Sequence, residues 1–278
     1  MNTRRNFLKQ SGLLGTATLL LPHISLASKK NSKYGVQLYS FRDSMLKKPE
    51  KTLEEIAVLG FKEIESAGSS KGYYYGLTPT EMNKTCKALG MKITSGHVRL
   101  DGKFERTMDD AVASGQEYLI CSSMPSNGQT VDNYKKVAEQ FNIAGEACKK
   151  LGLKFGYHNH EYEFESKNGQ VLYDVLMDNT QKDLVHMELD LGWVVVAGKN
   201  PIDYFKKYPG RFPLWHLKDM NMTEKVSTEF GKGALDIQLM LKNKELSGVQ
   251  HIYIEQEEYA STPFESMQYN MNYLKNIS

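Results

Sequence analysis

Cysteine is scarce and odd in number: Cys86, Cys121 and Cys148 are the only three in 278 residues, and all lie in stretches patterned as helix or strand. A disulfide framework is therefore not implied, and buried thiols are expected. Net charge is also small, +2 in all, whereas a protein that binds phosphates carries a marked basic excess. Nucleic acid is therefore not an expected partner. No apolar run reaches the roughly 20 residues that span a bilayer, so no stable membrane anchor is expected. No Gly/Ser/Pro-rich linker interrupts the chain, which argues for one domain. A glycine-rich phosphate loop is missing as well: the first strand pattern runs into Ser40-Phe41-Arg42-Asp43, which weighs against a doubly wound, dinucleotide-binding sheet.

The first 27 residues are read separately from the fold. Arg4 and Arg5 precede an apolar run from Gly12 to Leu21, and Ser25-Leu26-Ala27 puts small residues where a signal peptidase cuts. This resembles a twin-arginine export signal and predicts an exported, periplasmic protein. No cysteine follows the cleavage site to carry a lipid. Removal of this segment, with Arg4, Arg5 and Lys9 and no acid, takes the formal charge from +2 to −1.

Residues 28–278 carry a repeating signal. Leu59-Gly60-Phe61-Lys62, Leu89-Gly90-Met91-Lys92 and Leu151-Gly152-Leu153-Lys154 each place a glycine between a helical and a strand pattern, as does Gly115. Glycine there is the left-handed residue that ends a helix. Units of roughly 30 residues, strand then helix, are what a parallel sheet with helical crossovers requires. Strands are predicted at Tyr34–Tyr39, Phe61–Glu65, Lys92–His97, Tyr118–Cys121, Leu153–His158, Val185–Asp190, Phe212–Leu217 and His251–Glu255. Eight such units predict a single-domain (β/α)8 barrel.

The last four strands end on GYHNHE, MELDLGW, LWHLKD and IYIEQE, all rich in metal-ligating residues. In such barrels the C-terminal strand ends carry the chemistry. Strand residues alternate faces. Val185, Met187 and Leu189 suit the helix side, which turns Glu188 and Asp190 to the axis; the same argument turns in His216 and Glu255. In the fifth strand Leu153, Phe155 and Tyr157 are the apolar face, so Gly156, His158 and His160 turn inward with Glu161 just beyond. The fourth ligand is Glu161 if the chain bends there, and otherwise His158. Three carboxylates and an imidazole suit Mn²⁺, Mg²⁺, Co²⁺ or Zn²⁺.

These residues resemble the xylose-isomerase-like barrel superfamily of sugar isomerases and epimerases, inosose dehydratases and metal-dependent endonucleases. The resemblance implies one divalent metal held on strands five to eight by Glu161, Asp190, His216 and Glu255, although the family's first Glu falls nearer His158. It implies a sugar substrate whose hydroxyl and carbonyl the metal chelates, with Glu161 and Glu255 as acid and base and with His158 and Lys218 as further catalytic groups. Gln37, Tyr39, Glu65, His97, His160 and Trp193 would line the sugar pocket. The nuclease option fits poorly with near-neutral charge and only seven histidines.

Each residue also has a plainer reading. A single barrel histidine is more often a hydrogen-bonded core group than a ligand. Lys218–Asp219 reads equally as a surface ion pair, Glu188 as a buttress for a ligand such as His216, and Tyr73-Tyr74-Tyr75 as a loop anchor or a sugar-stacking lid. The expected reaction is isomerisation or epimerisation through proton abstraction beside a carbonyl. The alternatives are a lyase acting on a keto-sugar and a sugar-binding barrel without turnover. Export favours the lyase, since phosphorylated sugars are scarce outside the cytoplasm. The sequence leaves the oligomeric state open.

Overall fold

The computed structural model describes residues 34–277; the export signal expected at Met1–Ala27 lies outside them. Eight parallel strands close into a barrel: β1 (Gly35–Gln37), β2 (Glu63–Ser66), β3 (Lys92–Val98), β4 (Tyr118–Cys121), β5 (Lys154–His158), β6 (Val185–Asp190), β7 (Leu214–Leu217) and β8 (His251–Ile254). Each pairs with its sequence neighbours, and β1 pairs with β8 to close the ring. The chain is thus a (β/α)8 barrel, as the spacing of its strand patterns predicts.

Helices follow the strands because the intervening segments carry an apolar face and a defined stop. Helix Pro49–Leu59 buries Leu53, Ile56 and Leu59 and ends at Gly60, whose φ of 99° is left-handed. An L side chain rarely adopts that conformation. Helix Pro79–Ala88 starts at a complete capping box, Thr78 with Glu81. Cys86, Cys121 and Cys148 are buried and unpaired. No helix among the described residues is long and apolar enough to cross a membrane.

The strands have two faces. Ile64, Phe155, Val185, Met187, Leu189 and Trp215 join the main core between sheet and helices, while Tyr118, Ile120, Leu214 and Tyr253 fill the barrel axis. Gly156 faces the axis where nothing larger fits, since a Cβ would come within 2.6 Å of the His186 carbonyl and 2.7 Å of Ile120. This apolar layer is the floor under the strand-end residues.

Three details depart from simple alternation. β1 stops at Gln37 and passes into a 3-10 turn, Leu38–Phe41, so Tyr39 sits in a turn rather than a strand. The register of β2 against β3 slips after Ile64, so that Glu65 stands opposite Ser95 and Thr94 has no partner. Such a bulge re-aims the residues that follow it. Short hairpins follow β5 and β7, pairing Ser166–Lys167 with Gln170–Val171 and Asp219–Asn221 with Val226–Thr228.

Candidate metal centre

At the C-terminal mouth, four strands bring His158, Asp190, His216 and Glu255 together, with one ligand atom of each lying within 4.8 Å of the others. All four are buried. Asp190 ends β6 and caps the next helix: Oδ1 accepts the Trp193 N–H at 2.9 Å, while Oδ2 is buried without a hydrogen bond. Asn159 fixes its backbone by accepting the Asp190 N–H at 3.0 Å. His216 Nδ1 lies 2.9 Å from Glu255 Oε2 and 3.9 Å from Asp190 Oδ2, and His158 Nε2 lies 4.0 Å from the same Oδ2.

These spacings match a shared ion, since ligands at about 2.1 Å from one metal stand about 3–4 Å apart. Two imidazoles with two carboxylates are a donor set for Zn²⁺, Co²⁺ or Mn²⁺ more than for Mg²⁺. The residues therefore fit a divalent cation. Lys218 Nζ presses against the same oxygens, 3.1 Å from Asp190 Oδ2 and 2.7 Å from Glu255 Oε2, and reaches Glu257 Oε1 at 2.8 Å.

A second layer lies beneath. His97 Nε2 meets Glu188 Oε2 at 2.7 Å and Glu65 Oε1 at 3.2 Å. Glu188 Oε2 also lies 3.2 Å from both His158 Nδ1 and His216 Nε2. Gln37 donates to Glu65 Oε1 at 2.7 Å.

Burial and these neighbours set the charges. Burial disfavours the His216 imidazolium, but Glu188, Glu255 and Glu65 outweigh it and push its pKa up to about 10. Burial likewise opposes charge on Lys218 and Glu255, yet Asp190, then Glu255 and Glu257, hold the ammonium well above its usual range, and Lys218 with His216 holds the Glu255 carboxyl well below its own. Burial holds His158 well below 6.5 with help from His216 and His97, so it is a neutral imidazole with a lone pair to give. Burial and the charge of Glu65 push Glu188 well up, while His97 and His216 keep Glu65 well down against its own burial.

The structure separates the residues named from the sequence. Asp190, His216, Glu255, His158 and Lys218 converge, with His97 one layer below. Glu161 is the correction: it is exposed and belongs to neither donor group. After His158 the chain leaves the strand and turns into the 3-10 helix Tyr162–Phe164, so strand alternation no longer aims it. Glu163 is the buried acid instead, accepting from the Tyr157 hydroxyl and from the His160 N–H, the latter at 2.9 Å. A glutamate three residues after the N–H it caps is the signal that identifies it. Gln37 and Glu65 are also corrected, since both are fully buried beneath the mouth rather than lining a sugar pocket.

Around the opening, Tyr39 is 38% exposed, and His160 and Trp193 are half-buried. Tyr162 stacks on His160, and Lys218 lies 5.0 Å over the Trp193 ring. The three consecutive tyrosines anchor their loop: Tyr74 donates to Gln116 at 2.6 Å, and Tyr75 is 1% exposed. Lys218 and Asp219 are both buried and serve different partners, as Asp219 accepts the backbone N–H groups of Met220, Gly231, Gly233 and Leu235. The sequence reading passed over Asn159, Glu163 and Glu257.

No family model matches the chain. Among curated proteins it is similar to an inosose dehydratase of Clostridium perfringens, 26% identical over 62% of this chain. An inosose dehydratase of Clostridium botulinum is 24% identical over 81% of this chain and 88% of that one. The chain spans only 63% of the length of the Clostridium perfringens relative. Among solved structures, a sugar phosphate isomerase/epimerase from Parabacteroides distasonis superposes with a TM-score of 0.80 and 26% identity over 90% of this chain and 95% of that one. An IolI protein with a bound zinc atom shares the fold, with a TM-score of 0.69 at 16% identity over 88% of this chain and 98% of that one. These likenesses, to inosose dehydratases and to a sugar phosphate isomerase/epimerase, match the superfamily that the strand ends resemble.

Proposed function

We propose that this chain is a divalent-metal-dependent lyase that eliminates water or an alcohol from a keto-sugar or keto-cyclitol, starting with the proton beside the carbonyl. One observation carries the reading: of the two carboxylates in the donor group, Glu255 has the cationic acid Lys218 nearest, at 2.7 Å, and a free Oε1, whereas Asp190 has Oδ1 engaged by the Trp193 N–H and Oδ2 beside the same ammonium at 3.1 Å. An epimerase needs a second base on the opposite face, and Glu161 is exposed and outside the group. Elimination needs one base and one acid.

A divalent cation held by His158, Asp190, His216 and Glu255 supplies Lewis acidity toward the carbonyl oxygen. The ion pairs of Glu255 run through Oε2, which leaves Oε1 to take the proton from carbon. The C–H electron pair becomes the new C=C bond as the C–O bond to the leaving group breaks onto oxygen, and the Lys218 ammonium gives that oxygen its proton. The rings of Tyr39, His160 and Trp193 offer faces for sugar C–H groups. The inosose dehydratase relatives support this reading. The Arg4-Arg5 segment supports export, and with it a substrate without phosphate. A second reading, isomerase or epimerase, draws on the Parabacteroides distasonis structure.

The test is incubation of metal-loaded protein with keto-inositols, 3-keto-glycosides and ketoses in deuterated water. Loss of water or aglycone supports the lyase, and Glu255→Gln should abolish it with the fold intact. Deuterium beside the carbonyl without loss of a group moves the assignment to the isomerase reading. Binding with neither outcome leaves a sugar-binding barrel.

A further inference from the structure

His158 and His216 belong to both donor groups, the upper one with Asp190 and Glu255 and the lower one with His97 and Glu188. A neutral imidazole has a single in-plane lone pair, so a ring that ligates through one nitrogen donates N–H from the other. The lower layer is therefore read as the acceptor that decides which nitrogen is left for the upper one.

His216 spans both layers. Nδ1 faces Glu255 Oε2 at 2.9 Å, and Nε2 meets Glu65 Oε1 at 2.6 Å, with both side chains of that second contact fully buried. Glu65 is itself held in place: Gln37 Nε2–H donates to the same Oε1 at 2.7 Å, and Gln37 Oε1 accepts the Tyr39 N–H at 3.1 Å, which fixes the amide orientation. Glu188 is the farther acceptor, its Oε2 lying 3.2 Å from His216 Nε2 and 2.7 Å from His97 Nε2. The line Tyr39–Gln37–Glu65–His216 thus runs from β1 through β2 to β7.

We infer that Glu65, steadied by Gln37, is the positioning residue that makes His216 present Nδ1 rather than Nε2 to the divalent ion. This rests on the metal reading above. Removing the acceptor leaves a buried N–H without its short partner, and the ring then relaxes by flipping or changing tautomer.

The experiment measures zinc affinity by chelator competition and the His216 tautomer by long-range ¹⁵N–¹H correlation on the zinc-loaded protein. Wild type should show Nδ1 bound and Nε2 protonated. Glu65→Leu should bind zinc about 10- to 100-fold more weakly, with the His216 pattern lost or mixed. Glu65→Gln, which keeps an acceptor oxygen, should recover affinity to within severalfold, a rescue that a purely space-filling role does not produce. If Glu65→Leu does not fold, Gln37→Leu leaves Glu65 present but unheld and should weaken zinc severalfold with a mixed tautomer. Wild-type affinity with Nδ1 still bound in Glu65→Leu, or in Gln37→Leu where the former does not fold, overturns the inference and leaves the metal reading standing. A wild type that takes up no zinc removes both.

Discussion

Replacing Lys218 by methionine should make the metal-free protein much weaker and the zinc complex tighter. Lys218 Nζ is the cation against Asp190 Oδ2 at 3.1 Å and Glu255 Oε2 at 2.7 Å, with the lysine side chain 1% exposed and the two acids 0% and 6%. Taking one partner from a buried ion pair costs about 3–5 kcal/mol, because the other charge stays buried. For a domain of this size each kcal/mol moves Tm by about 2–4 °C, so in chelator Lys218→Met should melt about 6–20 °C below wild type. A divalent ion bound to the same oxygens restores the lost neutralisation. Saturating zinc should therefore close most of the gap, and its affinity should rise at least about tenfold, since two unit charges about 4 Å apart interact by about 4 kcal/mol at an effective dielectric constant of about 20. The assay is differential scanning fluorimetry with chelator and with a zinc series. Equal melting in chelator, or weaker zinc binding than wild type, would refute the reasoning.

Burial pushes the Glu163 carboxyl up to about 7 from an ordinary value near 4.5, against its hydrogen bond from Tyr157. Between those pH values the folded protein holds a proton that the unfolded chain has released, so stability falls as pH rises through this window, by about 3 kcal/mol at one proton. Glu163→Gln should gain about that much relative to wild type between pH 4 and pH 8 in urea unfolding; the same offset at both pH values would refute it. Asp219→Ala leaves four backbone N–H groups without an acceptor. It should cost at least about 3 kcal/mol and speed hydrogen exchange at Gly231, Gly233 and Leu235; unchanged exchange there would contradict the role assigned to it.

The barrel was legible because two local signals agree along the chain, the glycine at each helix end and the alternation within each strand. Asp190, His216 and Glu255 lie on true strands or their ends, where a period of two fixes the face. Glu161 lies past the end of β5, where the chain turns and periodicity carries no information; the informative residue was Glu163, through its reach back to His160. Gln37 and Glu65 face inward as alternation requires, but how deep they sit is set by strand stagger and, for Glu65, by the bulge at Thr94 on the neighbouring strand. Both depend on neighbouring strands, so no single stretch of sequence encodes them.

The account rests most directly on which atoms hold the ion, and anomalous diffraction at the zinc edge from zinc-soaked crystals measures that. The account predicts a single peak at the mouth, about 2.0–2.2 Å from His158 Nε2, Asp190 Oδ2, His216 Nδ1 and a Glu255 oxygen. A peak coordinated by Glu161, or no peak among these four residues at full zinc occupancy in solution, would contradict it.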